Sequence, residues 1–205
     1  MTWPTGTASR LAAPARTGEA VPRPTVEVVP VRGLPIVAAA LVALVVAIVG
    51  NWLWALDFFH VVAGGLWTAI DLFVGLVVGP ILARLSPAAR AEFAARFMPK
   101  MVLIMPTLVT LTLGSGFQLA RKLGDLAPAF AYHGWLVASF MVVGVMAVIA
   151  LGVLEPANIA VLFELRKPHP DGAVVGRLMR RFAYTAGITG LMQVATLVIM
   201  TRVAT

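Results

Sequence analysis

Residues 34–85 read LPIVAAALVALVVAIVGNWLWALDFFHVVAGGLWTAIDLFVGLVVGPILARL. Apolar side chains fill this stretch, interrupted by Asn51, Asp57, His60 and Asp71 before Arg84 closes it. As one helix rising about 1.5 Å per residue it would run about 78 Å, against a hydrocarbon core of about 30 Å. It must therefore cross a bilayer twice. The break is expected between Gly50 and Asp57, where Trp52 and Trp54 suit an interfacial aromatic belt and Asp57 suits an N-cap. Spans at 34–54 and 58–84 follow. The second is roughly 40 Å of helix, so it is expected to tilt or protrude.

Composition agrees with that reading. The chain is 60% hydrophobic and 12% charged, whereas soluble domains are nearer half apolar and a quarter charged. This is the composition of an integral membrane protein. The net charge of +7 is explained by basic residues retained on the cytoplasmic side of a membrane rather than by nucleic-acid binding. Cysteine is absent, which excludes disulfides, thiolate metal sites and a cysteine nucleophile. Residues 1–33 hold Pro4, Pro14, Pro22, Pro24 and Pro30 with scattered arginines and no apolar run of signal-peptide length. They are expected to form a disordered cytoplasmic tail ahead of a transmembrane domain at 34–205, whose first span is an uncleaved anchor.

Beyond residue 85, Ser86-Pro87 has the form of an N-cap followed by proline at the first helical position. Residues 86–98 place Phe93 and Phe97 beside Arg90 and Arg96, a pattern that predicts a short helix lying on the membrane surface. Three more spans are expected at about 101–122, with a kink at Pro106, at 134–158 and on toward Leu165, and at 182–203. Five spans put the tail and the 84–100 and 166–181 loops on one side. Thirteen of the 16 Lys and Arg residues then share that side, which places the N-terminus in the cytoplasm and the C-terminus outside. The expected fold is an all-α bundle with a four-helix core and a peripheral first span, since that span is apolar all round. Gly75 and Gly79 on span two, and paired glycines on the later spans, suit close helix packing.

His60, Gly64, Trp67, Asp71 and Gly75 recur at spacings of four, three, four and four, so they share one face of span two. An ionisable side chain inside a membrane marks a functional site or an interior structural contact. Asp71 lies near the midplane with no basic residue at its depth. Protonation, or hydrogen bonds from Thr112, Gln193 or water, must satisfy it. Its roles are then a proton or ion relay, a ligand contact, or a lock on helix packing. His60 lies one turn below the outer surface, and His133 opens span four at that same face. Two imidazoles at matched depth could ligate b-type haem or copper. The structural alternative is a histidine bonded to a backbone carbonyl. His60 and Asp71 are about 16 Å apart along the axis and cannot share a metal. Trp67 suits packing. Glu155 and Asn158 flank Pro156 toward the cytoplasmic end of span four and suit a polar cluster satisfying backbone groups that proline frees. The nine methionines are scattered, as core fillers are. No phosphate-binding glycine loop, nucleophile elbow, HExxH or CxxCH is present.

The run from His60 through Gly64-Gly65, Trp67 and Phe73 to Gly79-Pro80 resembles the first core helix of the copper-resistance D (CopD)-like membrane proteins. Arg90 to Phe97 resembles the loop that follows it, and Leu111 to Gly116 the glycine-bearing second core helix. A more distant similarity is to HemJ-type protoporphyrinogen oxidases. The resemblance spans roughly residues 57–203. It implies a small helical bundle in the cytoplasmic membrane that handles haem or copper, with His60 carried over as ligand. The chain departs from the pattern where Thr68 to Asp71 follow the tryptophan, so Asp71 is outside the resemblance. Three functions follow as expectations: a haem- or copper-binding protein for electron transfer or metal handling, an accessory or assembly subunit of a membrane complex, and a copper or small-solute transporter, which with five spans would need to oligomerise.

Overall fold

The computed structural model describes residues 26–204, and the expected tail over residues 1–25 lies outside them. Of the tail's remaining residues, Val26 and Val28 pack partly buried against the core, and Val31–Gly33 forms one 3₁₀ turn. Seven α-helices follow: α1 Leu34–Val49, α2 Leu53–Phe73, α3 Gly79–Arg84, α4 Pro87–Leu123, α5 His133–Ile149, α6 Glu155–Leu165 and α7 Gly172–Ala204. Single π-helical stretches, Val74–Val78 and Ala150–Leu154, join α2 to α3 and α5 to α6. Five continuous helical stretches result, each long and apolar enough to cross a membrane: Val31–Val49, Leu53–Arg84, Pro87–Leu123, His133–Leu165 and Gly172–Val203. The protein is an all-α bundle of five such helices.

The four later stretches form a ring. α2 packs on α4, α4 on α6, α5 and α6 on α7, and α7 on α2. Leu56, Met98, Met146, Leu162 and Met179 fill the centre with under 3% of their surface exposed. The first stretch lies outside the ring, against α4 and α2, and only Leu44 and Ala47 of α1 are buried. Its uniformly apolar sequence matches that placement, because a helix without a polar face suits lipid on every side it does not pack. It turns into α2 through Asn51, whose φ of 53° is a left-handed conformation that asparagine tolerates.

Two local expectations are corrected. Asp57 does not cap α2: the helix begins at Leu53 after Trp52, and Asp57 is exposed in its second turn. Residues 86–98 are not a separate surface helix. They form the first turns of α4, a single 37-residue helix running through Pro99 and Pro106. Ala94 and Met98 are fully buried, so bundle contacts rather than the membrane surface hold this segment. Arg90 uses two of its donors inside the protein, from Nε to Leu82 O at 3.0 Å and from Nη2 to Leu85 O at 3.1 Å, two carbonyls at the C-terminal end of α3. Arg96 pairs with Glu92 one turn away at 2.7 Å. The Ser86 cap is as expected: its Oγ accepts from the Ala89 N–H at 3.3 Å, with Pro87 opening the helix.

Each π-helical stretch ends at a proline. The Gly79 N–H bonds back to Val74 O, five residues earlier, and Pro80 follows. The Glu155 N–H bonds to Ala150 O in the same way, and Pro156 follows. A proline ring clashes with the carbonyl four residues before it and offers no N–H. Widening the preceding turn to a π geometry moves that carbonyl aside and lets the helix continue.

Candidate functional site

Between its helices the ring leaves a partly open cavity of about 190 Å³. Each of the ring's four stretches contributes to it: His60, Gly64 and Trp67 from α2, Thr112 and Gly116 from α4, Ser139, Val143 and Met146 from α5, and Gln193, Leu197 and Met200 from α7. The face of α2 defined by the four-three-four spacing therefore turns inward. Trp67 is 2% exposed and Asp71 2%.

His60 is held on two sides. Its Nδ1 lies 2.9 Å from the carbonyl oxygen of Thr112. A carbonyl only accepts, so Nδ1 carries the proton and Nε2 of the neutral ring keeps its lone pair. The ring abuts α4 at Gly116, where a Cβ would come within 2.6 Å of Nδ1. Only glycine leaves room there for the imidazole. The backbone-bonded histidine posed from sequence as the structural alternative is thus what is present. The same bond orients the ring as a ligand, because metal-binding histidines commonly donate their second nitrogen to a carbonyl.

Asp71 lies deeper. Its Oδ2 accepts from Thr189 Oγ1 at 2.9 Å and from Gln193 Nε2 at 2.9 Å. All three residues are at least 97% buried, so the carboxyl is fastened across α2 and α7 in a region closed to solvent. Gln193 was among the expected partners and Thr189 was not. Thr189 sits one turn before Gln193 on the same face of α7, which is the signal that could have found it. Thr112 does not reach Asp71. Its hydroxyl bonds to Leu108 O of its own helix at 2.8 Å, as threonines in apolar helices often do. The Trp67 indole is a further polar neighbour of the carboxyl, yet its Nε1–H completes no hydrogen bond. Gln193 Oε1 is likewise buried without a partner. The cavity wall thus carries an uncommitted imidazole nitrogen, one orphan donor and one orphan acceptor in otherwise apolar surroundings.

The other sequence candidates lie elsewhere. His133 opens α5, and its Nδ1 is buried without a partner. It does not line the cavity that His60 lines. Glu155 and Asn158 sit on α6 just after the second π-helical stretch. Asn158 is 1% exposed, and neither polar atom of its side chain makes a hydrogen bond. Among the described residues no three His, Cys, Asp or Glu side chains cluster as a metal site would need. Any metal here would take its remaining ligands from other side chains, and the thioethers of Met146 and Met200 share the cavity with His60. Compared with protein-family models, with curated proteins and with solved structures, the chain matches none.

Proposed function

We propose that this is a multi-pass cytoplasmic-membrane protein that binds a copper ion in the cavity beside His60 and serves metal handling or electron transfer. The observation carrying this reading is the His60 ring, which the Thr112 carbonyl and Gly116 fix with Nε2 uncommitted. Met146 and Met200 offer soft sulfur in the same cavity, and imidazole with thioether ligands suits Cu(I). The volume favours an ion over a porphyrin. Cavities enclosing drug-sized ligands hold roughly 300–1,000 Å³, and this one holds about 190 Å³. With His133 outside the cavity lining, a bis-histidine haem finds no support. The residues present fit copper, which would supply a one-electron couple or a cargo ion. The chain's own contribution is to orient His60 within a mostly apolar wall.

The thirteen-to-three charge asymmetry supports a cytoplasmic N-terminus, an external C-terminus and a site in the outer half of the bilayer. Purified protein in mild detergent, reconstituted with Cu(I) under a competing chelator, is expected to retain about one copper per chain. His60→Ala should release it and Asp71→Asn should keep it. A wild-type protein that retains none would end this reading. A second reading, an accessory subunit of a membrane complex, is favoured by α1, which presents Val42, Val45, Val46 and Val49 outward with at least 46% of each exposed.

A further inference from the structure

At the arginine-rich end of the bundle a second cavity, of about 270 Å³, opens between α3 and α7. Gly75, Gly79 and Ala183 line it together with Arg90, Arg180 and Tyr184, of which Arg180 and Tyr184 are exposed. None of the residues lining it is acidic. We propose that this groove binds the headgroup of an anionic phospholipid.

The charges are poised rather than spent. Arg90 uses Nε and Nη2 on the carbonyls of Leu82 and Leu85. These bonds pin the guanidinium in the groove's lining while Nη1 stays free of any hydrogen bond to the described residues. Nη1 lies against Gly176, where a Cβ would come within 2.6 Å of it. Arg180 is exposed one turn further along α7 and makes no ion pair or hydrogen bond among the described residues. The nearby acids are committed elsewhere: Glu92 to Arg96, Glu164 to Lys167, and Asp171 to the backbone N–H groups of Ala173 and Val174. Two helix N-termini add to the potential, because Gly172 at the start of α7 abuts Pro87 at the start of α4.

A fixed guanidinium beside a free one suits a phosphodiester, which accepts hydrogen bonds from both. A lipid fits better than free phosphate because the groove is amphipathic along its length. Arg90 and Arg180 lie in the first turns of α4 and α7, and the apolar lining continues through Leu82 and Gly79 to Gly75 in the π-helical stretch that follows α2. Basic pockets between transmembrane helices near the membrane surface take anionic headgroups in this way. Arg90, Arg180 and Tyr184 do not line the His60 cavity, so this proposal stands apart from copper binding.

Native mass spectrometry of the full chain released from detergent tests it, with phosphatidylglycerol, phosphatidylcholine and inorganic phosphate added in separate samples. Phosphatidylglycerol should be retained in preference to phosphatidylcholine. Arg180→Gln should weaken that retention about fivefold. Arg177→Gln, an exposed arginine of the same helix outside the groove, should leave it unchanged. Equal retention of the two lipids, equal losses in the two variants, or retention of inorganic phosphate without phosphatidylglycerol would each overturn the proposal.

Discussion

α2 and α5 follow one plan, with Pro80 and Pro156 lying 76 residues apart. Both helices descend to a π-helical stretch, continue past a proline as a short helix, and turn into a long capped helix, at Ser86 in one half and Asp171 in the other. The same 76-residue offset pairs His60 with Leu136, Gly64 with Phe140 and Trp67 with Val143, and all six residues line the central cavity. α4 and α7 bring Thr112-Leu113 and Thr196-Leu197 to it. The cavity thus lies between two halves of like construction. Their chemistry differs. Where α2 offers an imidazole, an indole N–H and a carboxyl, α5 offers Leu136, Val143 and Ala147. The backbone device is shared and belongs to the fold. The imidazole, the indole and the carboxyl occur in one half only, while the other half answers with Ser139, Thr189 and Gln193.

The largest effect should separate the two π-helical stretches. Gly75, second in the first, meets α7 so closely that a Cβ would lie 2.6 Å from the Gly187 nitrogen. Gly75→Leu is expected to cost more than about 3 kcal/mol and to abolish the folded protein. Leu151, second in the other, is 51% exposed, and Leu151→Ala should stay within about 1 kcal/mol. Reversible unfolding in mixed micelles reads both. Equal losses would remove the distinction between a crossing point and a lipid-facing turn.

Next comes the carboxyl that only one half has. Asp71→Ala takes the acceptor from Thr189 and Gln193, leaving a buried amide unpaired at about 2 kcal/mol. The same unfolding assay should show it, and the double variant Asp71→Leu with Gln193→Leu should recover part of the loss, because both polar partners then go together. A neutral Asp71→Ala would mean that the acid is not fastening α2 to α7.

A smaller and more local effect is expected at Gly116. Gly116→Ala displaces the His60 ring, whose side chain can swing, so stability should fall by only about 1 kcal/mol while Cu(I) affinity falls at least tenfold. Competition titration against a chromophoric Cu(I) chelator reads the affinity. Unchanged affinity would mean that the ring's seat on α4 is irrelevant to the ligand.

Hydropathy made the five spans legible, because lipid imposes one strong rule on length and composition. The peripheral place of α1 was readable from its missing polar face. The 86–98 segment was misread for a physical reason. Arginines beside phenylalanines look interfacial in sequence, yet Arg90 is used on the carbonyls closing α3 while Ala94 and Met98 go inward. For the site, sequence yields depth along a helix and direction around it. It does not yield the angle at which each helix faces the bundle axis. His60 and Gln193 could be placed at their levels, and both reach the cavity. His133, expected at the level of His60, does not line its cavity, and Thr189, one turn before Gln193, was legible only as a residue on the same face of α7.

The most direct test of the claim that one half supplies the ligand is copper stoichiometry in the paired variants His60→Ala and Leu136→Ala, measured by elemental analysis after Cu(I) loading and chelator washing. The account predicts about one copper per chain in the parent and in Leu136→Ala, and none in His60→Ala. Equal copper in all three proteins, or none in the parent, would contradict it.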